Sequence, residues 1–319
     1  MTVMKSRRQI FSRQILTLLV MLLVLSITGP AFAAQSGTSQ KSFASPAEAV
    51  KSLFEAVQNN DDKALATILG PAAGELISSG DPVADKADRE RFLTLYTAKN
   101  RLQKKGGNKA VLYLGSDDYP FPLPLVRKGK MWLFDTKAGA KEILNRRIGK
   151  NELAVMDVLH AYLDAQREYA RKDHDNNGVL GFAQKLNSSP GKQDGLYWET
   201  REGEEPSPFG PLAAQADSEG YGKQFRAAEP EPFHGYYFKV LKEQGKNAAG
   251  GAFNYVVNGK MVLGFALLAY PSGYRSSGVM TFIVNQSGVI YEKDLGTKSA
   301  QLAEQMTSFD PDPSWRKVE

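Results

Sequence analysis

The stretch "ELAVMDVLHAYLDAQREYARKDHDNNG", residues 152–178, decides the fold. Val155, Leu159, Tyr162, Gln166 and Tyr169 recur at intervals of three and four, the period of one helical face. This spacing predicts a helix over 152–171. The polar run that follows ends it, and no long helical period returns. A Gly-, Ser- and Pro-rich region over 188–211, broken by "DGLYWET", leads into four strand-like runs at 235–241, 262–269, 279–285 and 289–293. Gln286-Ser287-Gly288 joins the last two as a tight hairpin. A short helix near 299–306 and a tail with Trp315 follow. One long helix succeeded by consecutive strands predicts an α+β arrangement, with the helix packed on an antiparallel sheet.

Upstream the order is similar. Ser45 is an N-cap, Pro46 suits the first helical position and Glu48 completes a capping box. Val50, Leu53, Phe54 and Val57 form the apolar face of that helix. Leu65, Ile68 and Leu69 mark a second helix, stopped by Gly70-Pro71, and a third is expected over 85–99. Residues 109–115 read as a strand. "LPLVRKGKMWLFDT" reads as a hairpin turning at Lys128-Gly129, and Pro120, Pro122 and Pro124 alternate as on an edge strand. Helices on a small antiparallel sheet suggest an NTF2-like or cystatin-like first domain over 42–149, then a second over 150–319, with the boundary near Gly149. "GKMVLGFALLAYP" is too short to span a membrane and reads as a buried strand.

The N-terminus carries Lys5, Arg7, Arg8 and Arg13 ahead of an apolar run over 15–27, then Ala31-Phe32-Ala33. This is the pattern of a secretory signal peptide over 1–33, cleaved after Ala33 and followed by a polar tail over 34–41. An uncleaved anchor is the alternative, and Arg7-Arg8 ranks the twin-arginine route second. The formal charge of the chain is +5; removing four basic residues and no acidic ones leaves +1. A general nucleic-acid-binding surface thereby loses its main support. The chain has no cysteine, which excludes disulfides, thiolate metal sites, thiol catalysis and a lipidated cysteine anchor.

Several segments together resemble a known family: "SGDPVADKADRERF", "YPFPLPLVRKGKMWLFDT", "EILNRRIGKNEL", "SSPGKQDGLYW", "SPFGPL", "HGYYFKVLKEQG" and "GVMTFIVNQSGVIYEKDLG". They resemble the bacterial exported proteins of domain of unknown function 2950, over about 43–315. The resemblance implies an exported, periplasmic envelope protein and no particular activity. The second half is also similar in pattern to type IV pilin and pseudopilin heads. The shared features are Ala165 to Tyr169 ("AQREY"), a polar loop, Gly235-Tyr236-Tyr237-Phe238, Ala269-Tyr270-Pro271, and Ser277-Gly278 four residues before Phe282. Unlike a pilin helix, this one is not continuous with the apolar N-terminal segment. The resemblance therefore implies a pilin-like head used as a soluble domain.

Candidate sites are few. Asp173, Asp175 and Asn177 alternate ahead of Gly178, as in the first half of a calcium loop, but Gln184 stands where a bidentate Glu is needed. A weak Ca²⁺ site and a polar helix exit are the two readings; no other cofactor is expected. His160, His174 and His234 have no metal-ligand spacing. Ser207 and Ser277 lie outside any nucleophile elbow, and Gly250-Gly251 lacks a phosphate-loop context. Asp194 and Glu199 flank Tyr197-Trp198, a pattern that suits a sugar-binding cleft or carboxylate-based glycoside chemistry. Arg146-Arg147 is expected to pair with acids such as Asp135, Glu142 or Glu152 and hold the two halves together. The leading functional expectation is a non-enzymatic envelope interaction or structural protein with an unknown protein partner. A small-ligand or glycan binder comes next, then a carboxylate hydrolase.

Overall fold

The computed structural model describes residues 39–201, 203–222 and 231–318. The expected signal peptide and its cleavage point lie outside the described residues. Ser39–Glu319 forms one compact unit. Its helices are α1 (Pro46–Gln58), α2 (Asp62–Leu69), α3 (Gly74–Ile77), α4 (Pro82–Ala98), α5 (Thr136–Tyr169), α6 (Gly210–Ser218) and α7 (Ser299–Gln305). Strands β1 (Asn100–Lys105), β2 (Lys109–Leu114), β3 (Tyr119–Pro120), β4 (Leu125–Lys128) and β5 (Met131–Phe134) precede α5. After it come β6 (Tyr236–Leu241), β7 (Glu243–Gln244), β8 (Phe253–Asn254), β9 (Val256–Val257), β10 (Lys260–Met261), β11 (Ala266–Pro271), β12 (Met280–Asn285), β13 (Ile290–Asp294), β14 (Ser308–Phe309) and β15 (Arg316–Lys317). The class is α+β, as the order of helical and strand periods predicts.

The first half packs α1 and α2 on an antiparallel sheet of order β1-β2-β4-β5, with β3 pairing β2. Phe43, Leu53, Leu112, Leu125 and Phe134 fill the space between. Ser45 caps α1 by accepting from the Glu48 amide, and Glu48 Oε2 accepts from the Ala44 amide. The Ser45 half of the capping box forms as expected, whereas Glu48 reaches the amide one residue before the cap. Strand β1 was not expected. Its sequence "NRLQKK" is polar because the strand lies at the sheet edge, where only Leu102 and Gln103 are half-covered.

The helix expected from Glu152 begins sixteen residues earlier. Asp135 caps it by accepting from the Ala138 amide, and α5 then runs unbroken through Gly149. Gly139 and Gly149 disguise its first half in the sequence. Gly139 is there for space: a Cβ at that position would sit 2.2 Å from the Pro122 carbonyl oxygen. The second half of α5 lies on a sheet of order β15-β13-β12-β11-β6. Leu159, Tyr162, Phe265, Leu268 and Phe282 form the core there, and Tyr162 donates to the Ala266 carbonyl at 3.1 Å. Burial pushes the Tyr162 hydroxyl well above its ordinary value, so it remains a neutral donor.

Arg146 and Arg147 do not bridge the halves. Arg146 pairs with Glu142 one turn earlier and with the Tyr119 hydroxyl. Arg147 donates to the Glu75 and Leu76 carbonyls at 2.7 and 3.4 Å. Both tie α5 to the first half, because the helix begins inside that half. The halves meet instead at Asp81, which is 1 % exposed. Its Oδ1 accepts from the Val83 and Ala84 amides and caps α4; its Oδ2 accepts from the Tyr221 hydroxyl at 2.7 Å and the Gly235 amide at 2.8 Å. Val83 also packs against a small cluster of Val158, Ala216, Tyr221 and Phe233. Among the described residues no helix is long and apolar enough to cross a membrane.

Candidate functional site

A cleft of about 1260 Å³ opens beside Tyr197 and Trp198. Strand alternation builds its apolar floor. Phe238 and Val240 lie two apart on β6, and Val240 pairs with Leu267 of β11. Val158 of α5, Leu212 of α6, Phe209 and Phe233 complete the apolar lining. The rim is charged, with Lys185, Lys192, Glu199, Arg201 and Glu204. Apolar floor and charged edge are the usual build of a binding site for an organic ligand.

The segment carrying Tyr197 is held by backbone pairing. Leu196 and Tyr197 donate to the carbonyls of Lys185 and Leu186, and Ser188 donates to the Tyr197 carbonyl. Gly195 is obligatory here, since a Cβ would meet the Asn187 and Ser188 backbone at 2.7 Å. Asp194 staples the loop. It accepts from the Ser189 amide at 2.7 Å, the Ser189 hydroxyl at 3.0 Å and the Lys185 ammonium at 2.7 Å. Burial alone would raise its carboxyl, but the hydrogen bonds from Lys185 and Ser189 outweigh that and hold it at about 2. The Trp198 indole N–H is shielded from solvent and has no partner among the described residues.

Beneath this loop Tyr169 stacks on His174 with centroids 3.9 Å apart, and Trp198 tilts against His174 at 5.5 Å. His174 contacts the Tyr169 carbonyl and Gln193 Oε1, and the Tyr169 hydroxyl donates to the Gln193 carbonyl. Burial and the nearby Asp194 charge push that hydroxyl up to about 12, so it stays protonated.

The other sequence candidates are spread out. Asp173 accepts from the Asp175 and Gly178 amides. Asp175 pairs with Lys260 and accepts from Asn177, whose own oxygen accepts from the Val179 amide. These oxygens are engaged within a turn. Among the described residues no three His, Cys, Asp or Glu side chains are grouped to hold a metal. His160 is exposed on α5, while His234 pairs with Glu219 at 3.1 Å at the joint between the halves. The Ser277 hydroxyl accepts from the Gly273 amide at 2.9 Å and contacts Ser272, with no histidine among its hydrogen-bond partners.

The structure thus brings Tyr197, Trp198 and Glu199 to one cleft, while Asp194 stands outside its lining, beside Tyr169 and His174, and staples the loop that carries them. Phe209, Phe233 and Phe238, which also line the cleft, are not among the candidates the sequence offers. Their signal was present in "SPFGPL" and "HGYYFKV", but nothing in the sequence showed that these segments converge.

A family model described as "Protein of unknown function (DUF2950)" matches residues 40–318. No curated protein and no solved structure matches the chain.

Proposed function

Because the chain belongs to this DUF2950 family, whose description assigns no activity, we propose from its geometry that it is a non-enzymatic, exported binding protein taking an oligosaccharide-sized ligand in the Tyr197–Trp198 cleft. The observation that carries this reading is the cleft itself: about 1260 Å³, floored by Phe238, Val240 and Leu267 and edged by Lys185, Arg201 and Glu204. Such a volume exceeds the range of single drug-sized ligands. An aromatic floor with charged edges suits a ligand that is apolar on its ring faces and polar at its rim.

Carboxylate hydrolysis fits less well. Both Asp194 oxygens are engaged by Lys185 and Ser189 within the loop, and the residue does not line the cleft, so the Asp194 and Glu199 carboxylates do not face a ligand there as a pair. The export signal over 1–33 supports a periplasmic location. The long helix α5 on the β6-β11-β12-β13 meander supports the pilin-like reading of the second half, and α1 and α2 on β1-β2-β4-β5 support the NTF2-like reading of the first.

The test is tryptophan fluorescence during titration with a panel of soluble oligosaccharides, including N-acetylated cell-wall fragments. Saturable quenching that Trp198→Phe abolishes is expected. No response to any member of the panel would overturn the reading.

A further inference from the structure

The outer face of the first sheet carries a second surface, independent of the cleft. Strands β1 and β2 pair so that Arg101 opposes Tyr113, Gln103 opposes Val111 and Lys105 opposes Lys109. Lys109 opposes Val126 of β4, which opposes Leu133 of β5, and Lys128 opposes Met131. Strand alternation puts these residues on one face. The other face carries Ala110, Leu112, Leu125, Trp132 and Phe134 into the core.

The outer face is both apolar and cationic. Val111, Tyr113, Val126 and Leu133 are half-buried, yet none packs against the core of this half. The Arg101 guanidinium lies 4.5 Å from the Tyr113 ring centroid and the Lys105 ammonium 6.0 Å from it. Long cationic stems laid over apolar residues keep their charges outward. At the hairpin tips Lys105, Lys109, Lys128 and Lys130 are exposed on or beside this face, with Met131 39 % exposed among them; Lys104 and Arg127 are exposed at the same tips but alternate onto the other side, opposite Ala110 and Trp132. The only acids between residues 100 and 134 are Asp117 and Asp118. Asp118 lies at the far end of the β1–β2 hairpin, engaged by Lys99 and Arg101. Among the described residues no acid comes within ion-pair distance of the six tip cations. This concentration is local, since the chain beyond residue 33 carries only +1 overall.

We propose that this face docks on an anionic lipid bilayer, with Lys105, Lys109, Lys128 and Lys130 among the headgroups and Met131, Val126 and Leu133 toward the interface. Charge complementarity selects the partner. A second copy would set cations against cations. A flat anionic layer lets two separate tips engage together. Each basic side chain held near such a surface strengthens binding about fivefold, and salt weakens it within a Debye length.

The test is vesicle co-sedimentation with the chain from residue 34 onward, which contains the whole compact unit Ser39–Glu319. Vesicles of phosphatidylcholine alone are compared with vesicles that also contain phosphatidylglycerol. The expected result is sedimentation with the anionic vesicles only, lost on raising salt. Lys105→Glu with Lys109→Glu and Lys128→Glu should reduce it at least a hundredfold, while circular dichroism stays unchanged. Equal binding to both vesicles, equal binding by the triple variant, or no sedimentation at low salt would each overturn the proposal. Retention on an acidic protein or on DNA without vesicle binding would do the same.

Discussion

The Tyr221 hydroxyl donates to Asp81 Oδ2 at 2.7 Å, joining residues 140 positions apart and tying the two halves at a buried carboxylate. The same oxygen accepts from the Gly235 amide, and Oδ1 caps α4. Asp81→Ala therefore removes a helix cap and leaves buried donors on both halves unsatisfied. The expected loss is about 3 kcal/mol in urea unfolding. Tyr221→Phe, which removes one donor and keeps the ring, should cost only about 1.5 kcal/mol. Equal losses would show that the carboxylate is not the joint.

His234 sits beside this joint, 15 % exposed and paired with Glu219. Burial lowers its pKa below the ordinary histidine value, against the opposing charges of Glu219 and Asp81. The folded protein therefore binds fewer protons here than the unfolded chain. Its contribution is complete above about pH 6.5 and declines as pH falls below that value. Unfolding midpoints measured between about pH 8 and pH 5 should fall on acidification, and His234→Asn should flatten that slope. Asn is chosen because it tolerates the left-handed backbone at this position, φ 48°.

Two glycines of one helix give opposite expectations. Gly149 has nothing within 4 Å of an added Cβ, so Gly149→Ala should stabilise by about 1 kcal/mol through helix propensity. Gly139→Ala would drive its Cβ against the Pro122 carbonyl and should destabilise by about 3 kcal/mol. Chemical denaturation reads both. If Gly149→Ala destabilises, α5 is not continuous across the middle of the chain.

Asp194 carries the acid dependence of the cleft loop. Its folded pKa of about 2 lies below the ordinary 3.8, so its contribution is full above about pH 4 and is lost as pH falls toward 2. Hydrogen exchange of the Leu196 and Tyr197 amides should be faster in Asp194→Asn than in the native protein at neutral pH. The difference should disappear near pH 2. A difference that persists there would assign the loop's order to its backbone pairing alone.

Much of this architecture is legible in the sequence because it rests on local periodicity. The second half of α5, the Ser45 cap and the β4–β5 hairpin follow from spacing and turn chemistry, although the turn falls at Gly129-Lys130, one residue later than the expected Lys128-Gly129. The first half of α5 was hidden because Gly139 answers a tertiary demand, the approach of Pro122, that no local rule reveals. Strand β1 was hidden because an edge strand need not alternate apolar residues. Tyr197 and Trp198 stood out as an aromatic pair beside carboxylates. Phe238 and Phe233 did not, because their place in the cleft depends on how strands two hundred residues from the N-terminus fold back on α5. Asp81 carries no local signal of its role, since only the three-dimensional joint sets it beside Tyr221.

The most direct measurement is calorimetric titration of the tightest oligosaccharide from the panel into the native protein, Trp198→Ala and Phe238→Ala. One saturable site is expected in the native protein, with at least a tenfold loss of affinity in each variant and circular dichroism unchanged. Undiminished binding by both variants would place the ligand elsewhere and contradict the assignment of the cleft.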